Sequence, residues 1–408
     1  MKKNYFYILS FSFVIIFISA FFCFYIKRPA DVTFAAFAHP EDDWGKQTPA
    51  MLQLLQKDLK INFLPTRPKF LSYIPKKIRK NSQWTGGKSR VFFYLDADHP
   101  EIPENLTQAF FPIKIIYSKF PGTEVPRSWI EKINTSYDLV IVPNQQQAII
   151  YEKSGAIKPI FVLPYFLELK ELLNKPLKSH EDSNIVFANF SDCYEINNQI
   201  TLIRAFAKNF KNSEKAFLWL QSAFLDPYQE FKILSEIDSL GLKNVRFTKG
   251  LATKSEYIQM LQRIDCYIDL NKGNSFSAKL LECMALGIPV IMSDHPLHGL
   301  FARHILHLVP AKKEPFFYLN KNLGYCWNTD ESSVADQMKH IFENYSAVLE
   351  QTKNYRDIAK QYSCEKLKNK YLNLVKPKKI ILGDKNEITD EYLMTSSETL
   401  YKKYKNLK

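Results

Sequence analysis

The stretch Asp269-Leu270-Asn271-Lys272-Gly273-Asn274-Ser275-Phe276-Ser277-Ala278-Lys279-Leu280-Leu281-Glu282-Cys283-Met284-Ala285-Leu286-Gly287-Ile288-Pro289-Val290-Ile291 reads as strand, polar loop, helix, turn and strand. Cys266 to Leu270 is an apolar strand, and Asn271 to Ser275 is built of small and polar residues suited to a turn. Leu280, Leu281 and Met284 fall at helical spacing, which predicts a helix starting near Ser275 or Phe276. Gly287 ends that helix, and Pro289 prevents its continuation before Val290 and Ile291 open the next strand. A loop feeding a helix N-terminus points unpaired N–H groups and a positive dipole end at whatever lies there. Anions, phosphates above all, are the favoured occupants.

The same alternation extends outward from this stretch. Upstream, strands at 184–189, 216–221 and 245–248 alternate with helices at 198–210, 228–240 and 255–263. Farther back lie strands at 32–38, 91–95, 113–117 and 160–163, with a helix from Pro49 to about Lys60. Strands alternating with helices are the pattern of doubly wound parallel sheets, in which ligands sit beyond the carboxyl ends of the strands. The chain has 408 residues, enough for two such domains. Past Ser332 the pattern is mainly helical.

The signature stretch resembles that of the retaining, nucleotide-sugar-dependent glycosyltransferases of GT-B fold, the glycosyl group 1 (family 4-like) transferases. Their pattern is a Glu, seven residues, a second Glu, then Ala-Met-Ala and a Gly-x-Pro-Val-Ile close. Glu282 stands at the second Glu and Asn274 at the first, while Ser275 and Ser277 replace two glycines. The run from Pro121 to Asn144, with Pro126-Arg127-Ser128-Trp129 and Pro143-Asn144, resembles the first-domain segment of the same family. Gln361 to Leu367 with Tyr371 resembles its terminal helix, which crosses back onto the first domain.

This resemblance implies two Rossmann-like domains facing a cleft. They are an acceptor domain at residues 31–168 and a nucleotide-sugar donor domain at 169–360, followed by a crossover helix at 361–376 and a basic tail at 377–408. It also implies site roles. Glu282 would accept hydrogen bonds from the donor ribose, and Asn274 would face the transferred sugar without the negative charge a Glu brings. Lys272, Gly273, Ser275, Phe276 and Ser277 would border the diphosphate, and Gly45 would let the first domain's backbone approach the donor. No metal or other cofactor is implied. The family's basic pair after the first strand of the donor domain is missing, since Ala188 to Gln199 holds no basic residue. Lys249 and Lys254 are further basic candidates for the same cleft. Two functions from different classes therefore stand: a membrane-anchored glycosyltransferase acting on a lipid, glycan or protein acceptor, and a catalytically inactive GT-B-like binding or scaffold protein.

Residues Tyr5 to Ile26 form an uncharged apolar run of 22, flanked by Lys2, Lys3, Lys27 and Arg28. That is long enough to span a bilayer, and the expectation is an uncleaved anchor at residues 1–30 and a single-pass membrane protein. With two basic residues on each side, the side occupied by the globular part stays open. The net charge of +13 is concentrated between residues 60 and 90, where nine basic residues and no acidic one are interleaved with aromatics. Anionic lipid or an anionic acceptor is the expected partner there, and no nucleic-acid motif accompanies the patch. The six cysteines are spaced neither as a metal site nor as a disulfide framework, and buried thiols are expected. His39 and His99 end first-domain strands, and His295, His298, His304 and His307 crowd the segment after the signature without zinc-motif spacing.

Overall fold

The computed structural model describes residues 30–38, 45–66, 74, 76–79, 89–95, 112–179, 184–223, 226–250, 252–273, 275–318 and 320–376. The expected anchor Tyr5–Ile26, the tail at 377–408, His39, His99, Asn274 and much of the basic stretch lie outside the described residues. Among the described residues no helix is long and apolar enough to cross a membrane.

The first sheet contains β1 (Ala30–Ala36), β2 (Ile61–Pro65), β3 (Ser89–Leu95), β4 (Ile113–Tyr117), β5 (Leu139–Val142) and β6 (Ile160–Val162). Its order is β2-β1-β3-β4-β5-β6 and every neighbouring pair is parallel. Parallel strands are covered on both faces, and they accordingly read as continuous apolar runs. Val91, Phe92, Phe93, Tyr94 and Leu95 are all at most 3% exposed. The chain runs outward from β1 in both directions, so a crevice opens at the carboxyl ends of β1 and β3.

The second sheet comprises β7 (Ile185–Asn189), β8 (Ala216–Ser222), β9 (Val245–Lys249), β10 (Cys266–Asp269), β11 (Val290–Asp294), β12 (His307–Tyr318) and β13 (Lys321–Thr329). Its order is β13-β12-β11-β10-β7-β8-β9, parallel except for the antiparallel β12–β13 pair. The switch point lies between β7 and β10. The loops after those two strands, 190–198 and 270–277, therefore form the second crevice.

Among the described residues the domains meet through a helix, an aromatic cluster and a hairpin, besides the contacts of the site described below. The helix Cys364–Val375 packs on the first-domain helix Gln47–Leu55, and Tyr371 Oη donates to the Pro164 carbonyl at 2.8 Å. Phe276, Tyr165, Phe301 and Tyr362 form an aromatic cluster, with Phe276 and Tyr165 centroids 4.6 Å apart. The β12–β13 hairpin then reaches from the second domain to the first. Phe316 and Tyr318 stack edge-on against Phe120, Glu124 N donates to the Leu323 carbonyl, and Tyr325 N donates to Thr123 Oγ1.

Three local features differ from the expectations of the sequence. The signature helix starts at Ala278 rather than near Ser275, because the extended Ser277 accepts a hydrogen bond from Leu280 N and so acts as its cap. Strand β2 was hidden inside the basic stretch. The hairpin was not legible because Lys312-Lys313-Glu314-Pro315 interrupts apolar alternation and the register shifts between Pro315 and Phe317. Cys193, Cys266, Cys283, Cys326 and Cys364 are buried free thiols, as expected for them.

Candidate active site

At the β7/β10 switch point the structure places amides where the family pattern has cations. Asn189 is 1% exposed. Its Nδ2 donates to the Ile268 carbonyl at 2.7 Å, and its Oδ1 accepts from Gln199 Nε2 at 3.1 Å. Asn271 Nδ2 donates to Asn197 Oδ1, tying the two crevice loops together. Neutral amides satisfy each other's donors and acceptors, so this loop holds its shape without charge.

Helix Ala278–Ala285 is buried along its whole length and carries Glu282 to the interface between the domains. The Glu282 carboxylate accepts from Lys46 Nζ at 2.7 and 2.9 Å and from Tyr257 Oη at 2.7 Å. Lys46 also lies 4.2 Å from the Tyr257 ring centroid. Burial, reinforced by the neighbouring Glu282 carboxylate, pushes the Tyr257 phenol well above its ordinary pKa, so it stays protonated and donates. These three side chains border a cavity of about 240 Å³ whose apolar wall includes Leu167, Ala252 and Ile258. A carboxylate has about four acceptor directions, so Glu282 retains room for a hydroxyl donor from that cavity. Gly45 is buried in the turn directly before Lys46. Its neighbour, which sequence reasoning missed, makes the cross-domain ion pair. Adjacency to Gly45 was the signal available for it.

The remaining predicted residues separate into different surroundings. Lys272 Nζ pairs with Glu314 of β12 at 2.8 Å. Lys249 pairs with Glu230, and Lys254 pairs with Glu168 and Glu171. All three basic candidates of this domain thus have carboxylate partners outside the crevice loops. Gly273 lies against the first domain, where an added Cβ would stand 2.0 Å from the Pro121 carbonyl oxygen. Phe276 is 2% exposed inside the aromatic cluster. The Ser275 carbonyl accepts from Asn144 Nδ2 at 2.6 Å, and its hydroxyl is buried without a hydrogen-bond partner. Ser277 is the helix cap. Asn274 lies outside the described residues.

Beneath the loop sit His295 and His298, 3% and 1% exposed, their rings stacked 3.9 Å apart. His295 Nε2 lies 3.0 Å from the Asn271 carbonyl. Burial lowers the His295 pKa from 6.5 to about 4, and burial next to His295 lowers that of His298 well below 6.5. Among the described residues no group of three or more His, Cys, Asp or Glu is arranged to hold a metal ion. Both imidazoles are neutral when folded and take up protons near pH 6.5 when unfolded. Stability is therefore unaffected above pH 6.5 and falls as pH drops from 6.5 towards 4, by about 3 kcal/mol for His295 alone. Urea unfolding at pH 7.5 and pH 5 should show about 2 kcal/mol of this loss from His295, and the His295→Asn/His298→Asn variant should lose much of the slope. An unchanged slope would remove these histidines as its source.

Residues 173–304 match the family model described as glycosyl transferases group 1. The second domain is a group 1 glycosyltransferase domain. The matched segment takes in β7 to β11, both crevice loops and Glu282, and it stops before the hairpin. Among solved structures, Anabaena HepE in complex with UDP and glucose is similar at a TM-score of 0.60 and 13% identity, over 85% of this chain and 99% of that one. Sucrose-phosphate synthase from Thermosynechococcus elongatus is similar at a TM-score of 0.60 and 15% identity, over 84% of this chain and 98% of that one. A glycosyltransferase from Rickettsia africae is similar at a TM-score of 0.55 and 12% identity, over 85% of this chain and 97% of that one. At these identities the likeness concerns the fold, and it extends the GT-B architecture across both domains of the chain. No curated protein sequence matches the chain significantly.

Proposed function

We propose that this protein transfers a sugar from a nucleotide-sugar donor to an acceptor hydroxyl, with retention of configuration and without a bound metal. The observation that carries this reading is the buried Glu282 carboxylate on a cavity of about 240 Å³ at the meeting of the two domains. A ribose presents adjacent hydroxyls, and one of them can donate to the acceptor direction that Lys46 and Tyr257 leave open on the carboxylate, as a charge-assisted hydrogen bond. The apolar wall next to it suits the flat face of a base. HepE binds UDP and glucose in an architecture of the same kind, which supports a nucleotide in this cleft. Cleavage of the glycosidic bond leaves its electron pair on the diphosphate, so preorganised positive charge near the helix N-terminus lowers the barrier. The proposed setting is a membrane surface, reached through the apolar run Tyr5–Ile26 and the basic residues between 60 and 90.

The competing reading, a binding protein of the same fold without activity, is favoured by the neutral loop Ala188–Gln199 and by the pairing of Lys272 with Glu314. Calorimetric titration with UDP and GDP, followed by product analysis with labelled nucleotide sugars, decides between them. The proposal expects micromolar nucleotide binding and a glycosylated product of retained anomeric configuration. Nucleotide binding with no transfer or hydrolysis would favour the inactive relative, and absence of binding by every nucleotide would overturn the transferase reading.

A further inference from the structure

The neutral loop Ala188–Gln199 leaves the charge of a nucleotide-sugar diphosphate to be met from elsewhere. A second cavity of about 240 Å³, at the carboxyl ends of both sheets, is bordered by Lys119, Asp192, Asp269, Gly273, Ser277 and Lys279. We propose that Lys279 and Lys119 are the diphosphate-binding cations of this protein, one supplied by each domain. The inference rests on the nucleotide-sugar reading and names the residues that complete its site.

Lys279 stands three positions before Glu282 on the same helix, so the two side chains share a face. Their separation along the axis is about 4.5 Å. A nucleoside diphosphate with its ribose on Glu282, running toward the helix N-terminus, brings its phosphates alongside Lys279 and the capped turn at Ser277. The dipole of that turn favours the same charge. Lys279 is 6% exposed, a degree of burial that a lysine seldom tolerates unless anions surround it. Asp192 and Asp269 border the same cavity, and a diphosphate brings more negative charge than either. Lys119 approaches from the opposite wall, in the segment directly after β4, with its ammonium 5.4 Å from the Tyr165 ring centroid. A cation on each wall lets the diphosphate bridge the two domains.

The test compares the full chain with Lys279→Gln, Lys279→Arg and Lys119→Gln by calorimetry, using UDP and GDP against uridine and guanosine. Lys279→Gln should weaken the preferred diphosphate about ten- to a hundredfold while leaving its nucleoside within about twofold, because only the phosphates lose a charge-assisted contact. Lys119→Gln should act in the same direction, and Lys279→Arg should recover most of the loss. Circular dichroism and the unfolding midpoint identify a variant that has lost its fold, in which case Lys119→Gln carries the test. Wild-type diphosphate affinity in both Gln variants, or equal losses for diphosphate and nucleoside, would overturn the assignment while leaving the nucleotide reading intact. Failure of the wild-type chain to bind any diphosphate would overturn both.

Discussion

Glu282→Ala is expected to lower nucleoside diphosphate affinity at least tenfold and to destabilise the fold by about 3 kcal/mol. The first effect is the loss of a charge-assisted hydrogen bond to the ribose, worth roughly 1.5–3 kcal/mol. The second arises because Lys46, whose side chain is only 10% exposed, loses the carboxylate that balances it, and stranding one partner of a buried pair costs more than the pair contributes. The two effects can be separated. In the Glu282→Ala/Lys46→Met double variant no charge is stranded, so the unfolding midpoint should return most of the way to that of the wild type. Nucleotide affinity should stay low, because the ribose contact is still missing. Recovery of affinity together with stability would reduce Glu282 to a structural latch between the domains. The cycle is measured by urea unfolding and by calorimetry on the four proteins.

Gly273→Ala should disrupt the crevice with the addition of a single methyl group. The Cβ would meet the Pro121 carbonyl oxygen at 2.0 Å and its carbon at 2.9 Å, and backbone atoms cannot rotate aside. The loop at 270–277 and the segment carrying Phe120 and Pro121 must then separate. Overpacking of this kind costs about 1–3 kcal/mol. The functional loss should be larger, since a misplacement of about 1 Å at a reacting centre can lower turnover about a hundredfold. Transfer assays and unfolding curves on the purified variant measure both effects. Wild-type turnover would mean that the close approach of these two segments is unnecessary for the reaction.

This glycine shows why some of the site was legible and some was not. In the sequence Gly273 resembled a loop glycine beside a phosphate. Its space is in fact taken by Pro121, which is 152 positions away in the chain. Lys272 stands out in the sequence by its place before the signature, but its partner Glu314 lies on a hairpin that the sequence does not reveal. Phe276 sits inside the signature and turns out to seal the domains against Tyr165, Phe301 and Tyr362. Lys279 and Lys46 carried no signal of their own, since a lysine inside an apolar helix or after a turn glycine usually reads as a solvated side chain. Each is placed by contacts from the other domain or by the crevice it borders.

The sequence by itself determined the layered α/β architecture, the position of most strands and the placing of Glu282 on the helix of the signature stretch. Those properties follow from period, turn chemistry and apolar runs, which act over a few residues and are written locally. Tertiary structure alone decided which charges meet: Lys46 with Glu282, Lys272 with Glu314, and Lys119 with Lys279 on one cavity. Electrostatic partnership depends on distance in space and on burial, and both exist only once the two sheets have closed on each other.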